Sequence, residues 1–374
     1  KQQQVTHQFN KVLTKNPNNP DVLFALGLNY LKNSKSKPQD IEKAIHYFTL
    51  AANQNDSRAQ YSLGVIYFPE NSPIKDINKS IHYFSLAANQ NHIDSLNSLG
   101  IIYSNGKYIK PDIKKAIHYY TLAANLNDQR AQYNLGVIYL TGKLVKKDIN
   151  KSIHYFTLAA DQNNSSAQYF LAAIYYNGNH IPQDIRKAIN YFTLATNNDH
   201  KKAPYYLGII YKEGKYIKRD LAKAIYCFCL AANKGDSEAL FNLGLIYSEN
   251  EYGNFDINKA ITFYSLAAKL NHVYAQYNLG LIYYDGNYVI RDIDKSIFYF
   301  QLAANQNDHN SQFALGVIYA DGEYVNRNIN KAIQYFTSAA TQNNRNALNY
   351  LGIIYLEGKY VTQDITKAIY YFTL

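Results

Sequence analysis

The 374 residues carry a formal net charge of +10 and 38 tyrosines, with no tryptophan and no methionine. A single hydrophobic core rarely grows past roughly 250–300 residues, so the length implies several cores or an array. Nowhere does the chain hold the ~18 uninterrupted apolar residues of a membrane-spanning helix. Starting at Lys1 and lacking methionine, it is expected to be a segment of a longer open reading frame.

From the N-terminus, residues 1–20 look like the tail of a preceding helix or a partial repeat, ending at Asn16-Pro17-Asn18-Asn19-Pro20. A Leu-Gly pair then recurs, with glycines at Gly27, Gly64, Gly100, Gly136, Gly208, Gly244, Gly280, Gly316 and Gly352 and Ala172 in the one gap. The first step is 37 residues and every later step is 36. A fixed period of this size marks stacked supersecondary units, each stabilised by its neighbours. The registers divide residues 21–374 into a single array of ten units: 21–56, 57–92, 93–128, 129–164, 165–200, 201–236, 237–272, 273–308, 309–344 and an incomplete 345–374.

The unit around residues 130–164 shows the grammar. Asp128 is placed to cap a helix. Ala131, Leu135, Gly136 and Tyr139 form its apolar stripe. Gly142 ends it where left-handed backbone is wanted. A short basic loop follows, and Asp148 caps a second helix whose apolar face is Ile149, Ser152, Ile153, Phe156, Ala159 and Ala160. Asn and Gln then turn the chain into the next unit. Gly136 and Ala159–Ala160 are expected to let neighbouring helices approach closely. Local departures are the extra residue of the first unit, Pro69, Glu70 and Pro73 in the second, Cys227 in a tyrosine column, Asn250 for the second glycine and Asn328 for the capping Asp.

Ala131, Leu135, Gly136, Tyr139, Gly142, Asp148, Lys151, Tyr155, Ala159 and Ala160, with their copies along the chain, resemble the Sel-1-like repeat, a relative of the tetratricopeptide repeat. The resemblance covers about residues 21–374. It implies an all-α fold, an α-solenoid winding as a right-handed superhelix of about ten 36-residue helix-turn-helix repeats, and adaptor work in assembling complexes. The two cysteines per repeat of the disulfide-bridged bacterial subfamily are missing; Cys227 and Cys229 stand on different faces of one helix and are not expected to pair.

Most tyrosines fall in columns. One runs from Tyr30 to Tyr355 on the first helices, one begins at Tyr47 and Tyr83 on the second, and one occupies the loops at Tyr108, Tyr216, Tyr252, Tyr288, Tyr324 and Tyr360. All three are expected to pack between repeats. A further column lies three residues before the glycine: Tyr61, Tyr133, Tyr169, Tyr205, Phe241, Tyr277 and Phe313, with Tyr176 and Tyr284 one face further on. By the tetratricopeptide resemblance these face the concave groove, where rings with polar tips suit partner binding. The competing expectation packs them on the next repeat's first helix. Lys43 and its nine equivalents largely offset the capping carboxylates, so much of the positive charge falls in loops at Lys75, Lys107, Lys110, Lys143, Lys146, Lys147, Lys215, Lys218, Arg219, Arg291 and Arg327, forming a basic edge.

No phosphate loop, zinc motif or nucleophile elbow occurs, and His46, His82, His118 and His154 are too far apart in stacked units to share a metal. The sequence therefore points to a non-catalytic scaffold without metal or cofactor, holding a protein or peptide partner along its concave face. The alternatives are head-to-tail self-assembly into a filament, from the near-perfect regularity, and a weaker one, a glycan-binding solenoid. Nucleic acid is disfavoured because no recognition module accompanies the basic edge.

Overall fold

The structure, a computed structural model, describes residues 18–33, 38–68, 74–143, 145–249 and 253–374. The expectations for residues 1–17, the first loop's extra residue, Pro69, Glu70, Pro73, Asn250 and Tyr252 lie outside the described residues. Among the described residues are twenty helices and no strand. They are α1 Pro20–Asn33, α2 Pro38–Ala52, α3 Ser57–Tyr67, α4 Ile77–Ala88, α5 Ile93–Asn105, α6 Ile113–Asn125, α7 Gln129–Thr141, α8 Ile149–Asp161, α9 Ser165–Asn177 and α10 Ile185–Asn197, then α11 Ala203–Glu213, α12 Leu221–Asn233, α13 Ser237–Ser248, α14 Ile257–Lys269, α15 Val273–Asp285, α16 Ile293–Ala304, α17 His309–Asp321, α18 Ile329–Ala340, α19 Arg345–Glu357 and α20 Ile365–Thr373. The chain divides into two compact units between His200 and Lys201. Within each, an odd-numbered helix opens a repeat, the following even-numbered helix packs antiparallel on it, and that helix packs in turn on the next odd-numbered one.

Local chemistry sets the helix ends. Asp128 accepts from the backbone N–H groups of Arg130 and Ala131 and opens α7; Asp148 accepts from Lys151 N–H and opens α8. Asn328 does the same for Lys331, so that substitution leaves the cap intact. Gly142 closes α7 at φ +62°. The even-numbered helices close differently: Asn55, Asn91, Asn127, Asn163, Asn271, Asn307 and Asn343 stand at positive φ, a backbone region asparagine tolerates better than most residues. A side-chain ladder backs these turns. Gln132, buried in α7, donates to Ala124 O and Asn127 Oδ1, and accepts at 2.7 Å from Gln162 at the end of α8. The same pairing recurs at Gln60 with Gln90, Gln276 with Gln306, and Gln312 with Gln342. The Asn-Gln turns thus satisfy polar groups that burial would otherwise strand.

The core is a row of rings. Phe48, Phe84, Tyr120, Phe156, Phe192, Phe228, Tyr264, Phe300 and Phe336 are buried on even-numbered helices, and all but Phe192, whose repeat holds Ala172, lie against their own repeat's glycine. A Cβ built on Gly136 would lie 2.5 Å from Phe156 Cδ1. The glycine therefore makes room for a ring, more specifically than for close helix approach in general. Ser152 adds a buried hydroxyl that donates to Gly136 O at 2.9 Å. The fifth repeat holds fully buried Ala172 in the glycine's place. Ala159 and Ala160 are buried against α9.

The tyrosine and lysine columns have one account. Tyr139 and Tyr155 stack at 6.0 Å with an interplanar angle of 5°. Lys151 Nζ stands 5.1 Å from the Tyr139 centroid and 3.9 Å from Asp148 Oδ2. All ten lysines of the column sit over such a ring. His154 meets Tyr155 edge-on, as His46, His82 and His118 meet their tyrosines. These groups pair within a repeat, and the second tyrosine also reaches the preceding repeat, as Tyr155 does in its hydrogen bond with Thr121. The loop column makes its contacts between repeats but at the surface: Tyr108 meets Phe68, Tyr288 meets Phe255 and Tyr324 lies against Arg291, while Tyr216, Tyr288, Tyr324 and Tyr360 stay exposed. Arg327 likewise donates to the Tyr360 hydroxyl of the next repeat. A loop leaves one flank of each ring to solvent, which helix spacing alone does not reveal.

Candidate functional site on the first-helix face

The odd-numbered helices bring Tyr61, Tyr133, Tyr169, Tyr205, Phe241, Tyr277 and Phe313 to equivalent half-buried positions. Neither sequence expectation describes their packing fully. Each ring leans on the core ring of its own repeat, with centroids 5.7 Å apart for Tyr61 and Phe84 and 5.9 Å for Tyr133 and Phe156. Some rings also cover the N-cap of the next repeat: Tyr61 stacks on His92 at 4.8 Å and Phe241 on His272 at 4.5 Å. Burial pushes the hydroxyls of Tyr61, Tyr133 and Tyr277 above the usual phenol range and that of Tyr205 to about 12, helped at Tyr205 by Glu238 and Asp236. These phenols stay protonated near neutrality and keep a donor at the surface.

The column does not line one uninterrupted groove. Phe170 fills the space beside Tyr133, stacking on Phe156 at 5.3 Å, and Tyr350 fills the space beside Phe313. Where the facing residue is small, a pocket opens. In the first unit Ser98 leaves about 330 Å3 between α3 and α5, lined by Tyr61, Val65, Phe68, Phe84, Ile101, Asn105 and Tyr108. In the second unit Ala314 leaves about 270 Å3, lined among others by Tyr277, Leu281, Tyr284, Phe300, Phe313 and Val317. Tyr284 lines this second pocket, and Tyr176 packs edge-on against Phe192, the buried ring of its own repeat. Sequence reasoning missed Ile101 and Val317. The residue after each glycine or its substitute is aliphatic in every repeat yet outside the core stripe, and Ile101 is 45% exposed.

No group of three or more His, Cys, Asp or Glu that could hold a metal occurs among the described residues, and no described helix is long and apolar enough to cross a membrane. Cys227 is buried and Cys229 half-buried, both free, and burial raises both thiols above their ordinary range.

An α-solenoid of helical hairpins carrying an aromatic first-helix face belongs to the class of repeat proteins that scaffold protein interactions. The Sel1 repeat profile matches ten times, at residues 20–56, 57–92, 93–128, 129–164, 165–200, 202–236, 237–272, 273–308, 309–344 and 345–374, so the chain belongs to the Sel1 repeat family. Among solved structures it is similar to c5321, a protective antigen of uropathogenic Escherichia coli with an SLR fold (26% identity, TM-score 0.74, covering 100% of this chain and 79% of that one). It is also similar to a Sel1 repeat protein from Oxalobacter formigenes (26% identity, TM-score 0.69, covering 83% and 90%). No curated protein matches the sequence.

One joint under the first-unit pocket responds to pH. His92 Nδ1 accepts from Ser95 N–H and caps α5, which requires that nitrogen unprotonated. Burial holds the imidazole below its ordinary 6.5, with Asp94 and Asp56 opposing. A histidine whose folded pKa is depressed binds fewer protons folded than unfolded, so its contribution is complete above the unfolded pKa of about 6.5 and is lost as pH falls from there through the lower folded value. His92→Asn, matching the Asn164 and Asn344 caps of this column, is expected to reduce the drop in urea midpoint between about pH 7.5 and 5.5. An unchanged drop would show that His92 is not its source.

Proposed function

We propose that the chain is a non-catalytic scaffold that binds an extended partner segment along its first-helix face, anchoring bulky side chains in the pockets beside Tyr61 and Tyr277. The observation carrying this reading is the pair of aromatic pockets, which recur at equivalent repeat positions in the two units with a polar tip beside each apolar floor. Pockets of this size, apolar with a few convergent polar groups, suit single anchor side chains. The membership of the chain in a scaffold family supports the reading.

Peptides selected from a random library on the whole chain test it. Tyr61→Ala removes a pocket wall. Ile101→Glu places a charge at an exposed pocket position without touching the core. Selected peptides are expected to lose affinity at least about tenfold to one or both variants, with helicity by circular dichroism unchanged for Ile101→Glu. A selected set indifferent to both variants would overturn the reading.

A further inference from the structure

A third cavity, of about 420 Å3, lies wholly in the second unit and shares no lining residue with either first-helix pocket. It opens between α12 and α14, over α13, with Cys229, Leu240, Leu243, Phe263 and Leu270 among its walls and Lys269 at its rim. Leu240 and Leu243 are buried, Cys229 and Phe263 half-buried, and Lys269 and Leu270 exposed. Lys269 makes no ion pair among the described residues. The carboxylates that open α13 are already placed: Asp236 caps the helix by accepting from Ala239 N–H, and Glu238 lies 3.3 Å from His272 Nε2.

The same place in the fourth repeat is closed by two polar pairs. Gln162 donates to Gln132 at 2.7 Å, and Tyr155 hydrogen-bonds to Thr121 of the preceding repeat. In the seventh repeat the equivalent pairs are Leu240 with Leu270 and Phe263 with Cys229. No other repeat has both pairs apolar: the third holds Leu96 and Leu126 but keeps Tyr119 and Ser85. Four groups that elsewhere bond across the junction are thus replaced together at one place. Burial raises the Cys229 thiol above its ordinary range, so it stays a neutral, weakly polar wall. The position of Lys269 is asparagine in six repeats and lysine only here.

We infer that this cavity binds a medium-chain fatty acid, its alkyl chain lying among Leu240, Leu243, Phe263 and Leu270 and its carboxylate meeting Lys269. The walls offer an alkyl chain apolar surface to cover and offer a polar ligand almost no hydrogen-bonding partner. A cavity of this volume is of the size that holds small molecules. The one cation stands at the rim, where the ammonium stays in water while its stem lies along the apolar wall, so the arrangement fits a ligand with one anionic head and an apolar tail. The site is independent of the first-helix face.

The test titrates decanoate, kept below its micellar concentration, against the whole chain by calorimetry, beside hexanoate, octanoate and decanol. Affinity is expected to rise about fourfold per added methylene from hexanoate to decanoate. Leu240→Gln with Leu270→Gln, and Cys229→Thr with Phe263→Tyr, restore the polar pairs that the fourth repeat carries. Each pair is expected to keep the helicity of the parent by circular dichroism and to weaken decanoate at least about tenfold, because polar groups then cross the cavity. Lys269→Asn is expected to bring decanoate down to the affinity of decanol and to leave decanol unchanged. No saturable binding of decanoate, or binding indifferent to both restoring pairs, would overturn the inference. Equal binding of decanol and decanoate to the parent would overturn it too, since the head group would then go unrecognised. None of these results bears on the first-helix face, whose test uses other ligands and other residues.

Discussion

Phe156→Ala is expected to be the most damaging single substitution in the first unit. The ring is fully buried, packed on Gly136 and against Tyr133 and Phe170. Its removal leaves a cavity between α7, α8 and α9 that helices on both sides cannot collapse to fill. Phenylalanine-to-alanine changes in such sites cost about 3–5 kcal/mol. In a repeat array the loss falls on one repeat and its two interfaces, so urea unfolding should separate into two transitions, with the altered region melting first. Fluorescence and circular dichroism followed together would see this as non-coincident curves. A single transition at the parent midpoint would show that the ring carries little.

Gly136→Leu is the complementary experiment. Even a Cβ there would sit 2.5 Å from Phe156 Cδ1, and a leucine adds three further carbons to the same space. Overpacking of this kind costs about 1–3 kcal/mol. For a body the size of the first unit that corresponds to a melting shift of roughly 2–12 °C. The two sites touch, so they should not add: Gly136→Leu made in the Phe156→Ala background should cost less than alone, because the cavity accepts the leucine. Additive losses would mean that the ring and the glycine do not face one another. The fifth repeat, which holds fully buried Ala172, shows that the array accepts a single methyl at this position.

The contrast between these positions and the binding face shows what a sequence of this kind carries. The helix boundaries, the array and the caps were legible because each rests on local chemistry repeated seven to nine times: Asp148 and its copies, Gly142 and its copies, and the Leu-Gly period. Repetition turns a weak local preference into a strong one. The tyrosine column beside the glycine was legible as a column. Its division into pockets was not, because opening depends on which residue of the following repeat faces each ring. Ser98 and Ala314 open a space that Phe170 closes, and these residues share no property visible within their own repeat. The loop tyrosines meet the preceding repeat, as at Phe68 and Tyr108, but their exposure was not legible for a similar reason. A period fixes which repeats are neighbours, but exposure of a loop side chain depends on how far the loop stands from the helices.

The central claim is that partner segments dock on the first-helix face. Photo-crosslinking of a library-selected peptide tests it most directly, with a benzophenone side chain placed at Ile101 on α5 or at His118 on α6, two exposed positions of one repeat on different helices. Crosslinks from position 101 and none from position 118, with the peptide's apolar residue as the attachment point, are the predicted result. Crosslinks from position 118 alone would place the partner on the second-helix face and contradict the account.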